Sequence, residues 1–177
     1  MRTKGGFTII ELLLTLIILG ILTAVAIPGF SRFMPNYRLR SALRDVGSNF
    51  QLAKMTAVRR NCNCTATFNQ AIGGTIYDYI VYVDLDNDLE YDVGEEVMAR
   101  VLWTDYKDVS FDLAKGGGDG LTFTDNDDGL PSIAFRPNGA TRNNAGGFGA
   151  GTLFLKNVRN RTGSVVVSSV GNMTINF

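Results

Sequence analysis

Apolar positions come first in a block. From Phe7 to Ile27 the chain reads FTIIELLLTLIILGILTAVAI, 21 residues with one ionisable side chain, Glu11. As a helix this run extends roughly 31 Å, about the thickness of the hydrocarbon layer of a bilayer. The block then becomes a stripe: Leu39, Ala42, Leu43, Val46, Phe50, Ala53 and Ala57 recur at spacings of three and four, the period of one helix face. The pattern predicts one rod. Pro28 and Pro35 interrupt it, because neither donates a backbone hydrogen bond, so the carbonyls of Ala24 and Ser31 lose helical partners and kinks are expected near both.

Beyond Asn61 the period shortens. CTATF, YIVYVD, EVMARVLW, VSFDL, LTFTD, SIAFRP, TLFLKN, SVVVSS and MTINF alternate or are rich in branched and aromatic residues, and Gly, Asn and Asp separate them. These read as antiparallel strands. NGATRNNAGGFGAG is too rich in Gly and Asn for a regular element and reads as a mobile surface loop.

The leading run suits a membrane. Arg2 and Lys4 precede it with no acid between them, which places the short N-terminus in the cytoplasm and the body outside. A cleaved signal peptide is the alternative, with Ala24 and Ala26 as the small-x-small site. Against it, the run exceeds the usual signal core and the helical pattern continues past its end. Glu11 is the exception to explain, since an ionised side chain costs about 2.5–3.5 kcal/mol at a bilayer centre.

Composition argues against catalysis. The 177 residues include no histidine, which excludes His-dependent triads and His metal ligands. Cys62 and Cys64 lie two apart, where a disulfide would be a strained small ring, so they read as thiols. No resident cofactor follows from the sequence with certainty, calcium being the one candidate.

The net charge of zero hides a division. Residues 32–77 carry seven basic and one acidic side chain, 78–128 three basic and fifteen acidic, and 129–177 five basic and none acidic. Within the acidic block, Asp84, Asp86, Asp88, Glu90, Asp92 and Glu95 fall at positions 1, 3, 5, 7, 9 and 12 of an EF-hand-like loop, the spacing that wraps oxygen ligands around calcium. Leu89 stands where that loop has Gly, and the flanks read as strands. A solvated acidic hairpin loop explains the same letters.

KGGFTIIELLLTLIILGILTAVAIP resembles the N-terminus of type IV pilins and type II secretion pseudopilins: a short basic leader, Gly6, then Phe7, then Glu11. NYRLRSALRDVGSNFQLAKMTAVRRN and FRPNG, Phe135 to Gly139, are similar to the GspH/FimT group of minor pilins. The resemblance implies that a prepilin peptidase cuts after Gly6 and N-methylates Phe7. It also implies that Glu11 pairs with the new α-amino group of a neighbouring subunit and sets axial register. The reading from the residues alone is that Glu11 faces the positive end of its own helix, worth about 0.3–1 kcal/mol.

The expected fold is α+β and pilin-like: a long N-terminal hydrophobic helix packed on a C-terminal antiparallel β-sheet head. The expected divisions are 1–6 as leader, 7–30 as membrane and filament-core helix, 31–61 as amphipathic helix and 62–177 as head. The expected function is a structural minor pilin or pseudopilin, not an enzyme, of the bacterial inner membrane with its head in the periplasm. Its partners are other pilin subunits and the prepilin peptidase. The alternative is a DNA-binding minor pilin acting in DNA uptake, using Arg136, Arg142, Lys156, Arg159 and Arg161. Those members carry Gly-Arg-x-Arg near the C-terminus, and the corresponding Gly171-Asn172-Met173-Thr174 lacks both arginines.

Overall fold

The computed structural model describes residues 6–177, apart from the side chains of Val25, Pro28 and Ser31. The leader residues before Gly6, Arg2 and Lys4 among them, lie outside the described residues. By internal contact the chain divides between Met34 and Pro35.

Helix α1, Ile9–Arg60, runs past both prolines without interruption. Both prolines lie within this one helical element. Each removes one backbone hydrogen bond, and the bonds of the flanking turns remain to carry the helix across. The helix ends on Asn61, whose φ of 53° is left-handed, while Cys62 N–H donates to Ala57 O at 3.3 Å. That is the Schellman closure, with Asn in the place Gly usually takes.

The N-terminal unit has no core: every described residue from Gly6 to Phe33 is exposed. The second unit has a single one. All seven stripe residues of α1 are buried there, none more than 2% exposed.

Among the described residues, nine strands build two antiparallel sheets. The first has the order β3-β2-β1-β5-β6: Val97–Val101, Thr75–Asp84, Asn63–Ile72, Ser132–Phe135 and Thr141–Arg142. The second has the order β4-β7-β8-β9: Val109–Phe111, Gly151–Asn157, Thr162–Val167 and Met173–Asn176. Strands β1 and β2 join through Gly73 and Gly74, both at positive φ, in a two-residue hairpin whose turn matches the twist of its strands.

Phe50 of α1 centres the core, with ring centroids of Phe68, Tyr79, Phe123 and Phe135 at 6.3, 6.1, 6.5 and 6.0 Å. Aromatic packing at these distances adds about 0.5–1.5 kcal/mol per pair beyond the area buried. Against the second sheet the helix comes close because Gly163 of β8 has no side chain; a Cβ there would stand 2.4 Å from Leu43 Cδ1. Polar ties flank the apolar seam: Asn157 Nδ2 donates to Asn36 Oδ1 at 2.9 Å, and Lys54 Nζ to Gly171 O at 2.8 Å.

One strand expectation and one loop expectation need correction. LTFTD forms only isolated bridges, Leu121 with Leu153 and Asp125 with Pro131, because its backbone is drawn into turns through Gly120 and Gly129 on either side. The Gly- and Asn-rich segment is not wholly irregular: Thr141–Arg142 pairs with β5. Arg136 Nη2 ties the segment down by donating to Gly146 O at 2.5 Å, and Thr141 Oγ1 donates to Gly149 O.

Candidate functional site

The start of α1 is the first candidate. Thr8 is the N-cap, its Oγ1 accepting from Glu11 N–H at 3.2 Å, while Glu11 Oε2 accepts from Thr8 N–H at 3.0 Å and from Thr8 Oγ1 at 3.1 Å. This reciprocal arrangement is a capping box. It gives Glu11 a local role, and the signal was in the sequence as T-x-x-E. Around it the helix presents Phe7, Ile9, Ile10, Leu12 and Leu13 at 50–83% exposure, with Phe30 at 72% and Phe33 at 75%. Such an apolar surface needs a cover of lipid or of other helices. Among the described residues, no helix is long and apolar enough to cross a membrane. The expected span from Phe7 to Ile27 includes Val25, whose side chain lies outside the described ones.

The acidic loop follows β2. Ligand oxygens of Asp84, Asp86 and Asp88 lie within 4.8 Å of one another, whereas Glu90, Asp92 and Glu95 do not join them. So three of the six residues at EF-hand spacing converge. The oxygens have other work. Asp84 is buried, its Oδ2 accepting from Thr65 Oγ1 at 2.8 Å and Leu89 N–H at 3.3 Å, its Oδ1 from Asn87 N–H at 2.7 Å. Glu95 closes the far end by accepting from Leu85 N–H at 2.8 Å and Asp92 N–H at 3.1 Å. Burial pushes both carboxyls above their ordinary range, and the hydrogen bonds pull back only part of that rise.

Leu89, in the position of the EF-hand glycine, has a φ of 67° and is fully buried. A left-handed backbone costs a residue with a Cβ about 1–2 kcal/mol, and burying a Leu side chain returns about 1.5–3 kcal/mol. The turn is therefore kept without glycine because Leu89 anchors the loop. Its carbonyl accepts from Asn126 Nδ2 at 2.9 Å, and Thr67, Tyr82 and Ser132 continue the polar layer beneath.

The five basic residues proposed for DNA divide between the sheets. Arg136 and Arg142 belong to the first, where Arg136 donates to Gly146 O and Arg142 Nη1 to Asn87 O of the acidic loop. Lys156 of β7 stands 4.0 Å from Asp112. Arg159 and Arg161 sit on the β7–β8 turn, their backbone N–H groups held by Asn157 Oδ1 at 2.9 and 3.1 Å. Cys62 and Cys64 are free thiols, half-buried and buried. Burial, then the neighbouring Cys62, pushes the Cys64 thiol up to about 12, so it carries little thiolate at neutral pH.

A capped apolar helix start joined to a helix-on-sheet head has a counterpart in family comparisons. Residues 42–171 match the family described as Type II transport protein GspH. The chain belongs to that family. Residues 1–27 match the prokaryotic N-terminal methylation motif, which encloses Gly6, Phe7 and Glu11. A similar curated protein is the Pilin-like protein PilA1 of Thermus thermophilus, 38% identical over 96 residues. The aligned part is 53% of this chain and 57% of that relative. No solved structure matches the chain. The chain thus carries an N-terminal methylation motif followed by a GspH-family region, and its head is α+β.

Proposed function

We propose that this chain is a structural subunit of a type IV pilus or type II secretion filament, anchored in the inner membrane by its N-terminal helix before assembly. Prepilin peptidase cuts after Gly6 and methylates Phe7, and the helix then passes into a bundle of other pilin helices. The observation that carries this reading is the exposed apolar surface from Phe7 to Phe33 on a helix with no core of its own. Its removal from water is worth about 25 cal/mol per Å², so a partner surface is energetically required. Glu11 serves twice in this reading: it caps its own helix, and its charge pairs with a neighbour's α-amino group, where an unmatched charge away from water is costly enough to fix register.

Intact-mass measurement of protein from membranes tests the reading. The expected mature chain begins at N-methylated Phe7. A terminus near Gly29 would mean an ordinary signal peptide and would overturn it.

A further inference from the structure

The head carries two surfaces that the fold itself leaves unused. The first is an open groove of about 630 Å³ between α1 and the edge strand β9, floored by Leu52, Met55, Met173 and Ile175. Leu52 is 44% and Met55 62% exposed. Gly47 lets Ile175 close on the helix, since a Cβ there would meet Ile175 Cδ1 at 2.9 Å. Arg44 is the charged residue of the lining, and beyond the strand's end Arg40 stands 5.3 Å from the Phe177 ring. The groove is apolar with a basic rim.

The second surface is the acidic loop. Val93 is wholly exposed and Leu85 69% exposed, amid Asp86 and Asp92, which are exposed too. Neither apolar side chain holds the loop together. Leu89 and the Glu95 carboxylate do that. A branched apolar residue set fully in water among carboxylates is the mirror of the groove: apolar knob and acidic collar against apolar floor and basic rim.

We propose that a second copy of this chain seats its Val93 loop in the α1/β9 groove. Val93 and Leu85 cover Leu52, Met55 and Ile175, while Asp86 and Asp92 face Arg44 and Arg40. The two patches are different parts of the chain, so the contact is heterologous, and a heterologous contact that does not close into a ring repeats indefinitely. Like charges oppose other pairings: loop against loop brings carboxylates together, and groove against groove brings arginines together. The inference rests on the filament reading and adds to it a contact between neighbouring heads.

Full-length protein carrying Val93→p-benzoylphenylalanine, prepared as a mixture of ordinary and ¹⁵N-labelled copies in one membrane, tests the contact by photocrosslinking and peptide mapping. Mixed-label links from position 93 to residues 44–55 or 173–175 are expected. Arg44→Glu should weaken them about tenfold, and adding Asp86→Arg to that chain should restore them. Links confined to other surfaces, links only within one copy, or no link at all would overturn the inference. The same membranes are sheared and the filament fraction probed: protein present there with links elsewhere sinks this contact alone, whereas protein absent from filaments sinks the subunit reading.

Discussion

Glu11 Oε2 lies 3.0 Å from the backbone nitrogen of Thr8, so the residue expected to reach a neighbouring subunit is first a cap on its own helix. The two roles separate by mutation. Glu11→Gln keeps a capping-box side chain and loses the charge; Thr8→Ala keeps the charge and loses the N-cap, at a cost of about 1 kcal/mol. If register depends on charge, Glu11→Gln should fail to co-purify with partner pilins while Thr8→Ala still does. Normal co-purification of Glu11→Gln together with failure of Thr8→Ala would assign Glu11 to capping alone.

Phe50→Ala should cost the Pro35–Phe177 head about 3–5 kcal/mol, because it empties the position against which four aromatic rings pack. Urea unfolding followed by tryptophan fluorescence measures it, Trp103 being buried in the same cluster. A loss below about 1 kcal/mol would mean that the core closes over the gap.

What could be read ahead of the structure followed from periodicity. The stripe from Leu39 to Ala57 was legible because a 3.6-residue period has one consistent solution, and the same holds for strands such as YIVYVD that alternate against a defined face. LTFTD misled because Thr and Phe have strand propensity whether or not a neighbouring strand is available to pair with it. Thr141–Arg142 escaped notice because two residues carry no period. At the site, T-x-x-E spelled a capping box, whereas the meaning of Leu89 was invisible. Only the fold shows that its left-handed backbone is held by burial of its own side chain, and the EF-hand spacing had marked it merely as a departure from glycine.

The Asp84 carboxyl, held above its ordinary range by burial, gives stability a pH dependence with a definite sign. Between the unfolded value of about 3.9 and the raised folded value, the native state binds the extra proton, so stability falls as pH rises through that window and the ionised group is a net cost above it. Asp84→Asn removes this slope. It also leaves either Asn87 N–H, or Leu89 N–H and the Thr65 hydroxyl, without its acceptor, since asparagine has one acceptor oxygen where Asp84 uses two. The variant head should be about 1–3 kcal/mol less stable at pH 7, and its deficit should widen on acidification. Asp78 and Glu95, also raised by burial, keep some slope in the variant. Urea midpoints from pH 4 to pH 7 check it.

Chelation tests what holds the acidic loop. Its turns close on protein donors, the N–H groups of Leu85, Asn87, Leu89, Glu90 and Asp92 each meeting a carboxylate of the loop. The head should therefore keep its Tm when EDTA is added. A fall of several degrees, restored by millimolar calcium and absent in Asp86→Ala, would show that an ion joins the Asp84, Asp86 and Asp88 oxygens and stabilises by mass action.

Duplex DNA should bind the head weakly. Affinity for DNA comes mainly from several Lys or Arg side chains neutralising phosphates together, and it falls steeply with salt. Here Arg136 and Arg142 are tied to backbone carbonyls of the first sheet's loops, and Lys156 faces Asp112. Arg159 and Arg161 are left on one turn. Two phosphate contacts give a salt slope near two and a dissociation constant of roughly micromolar or poorer, the nonspecific range. Fluorescence anisotropy of labelled duplex at physiological salt measures it. Submicromolar binding abolished by Arg159→Ala with Arg161→Ala would show that this turn substitutes for the arginines missing after Gly171, and DNA uptake would then displace the purely structural reading.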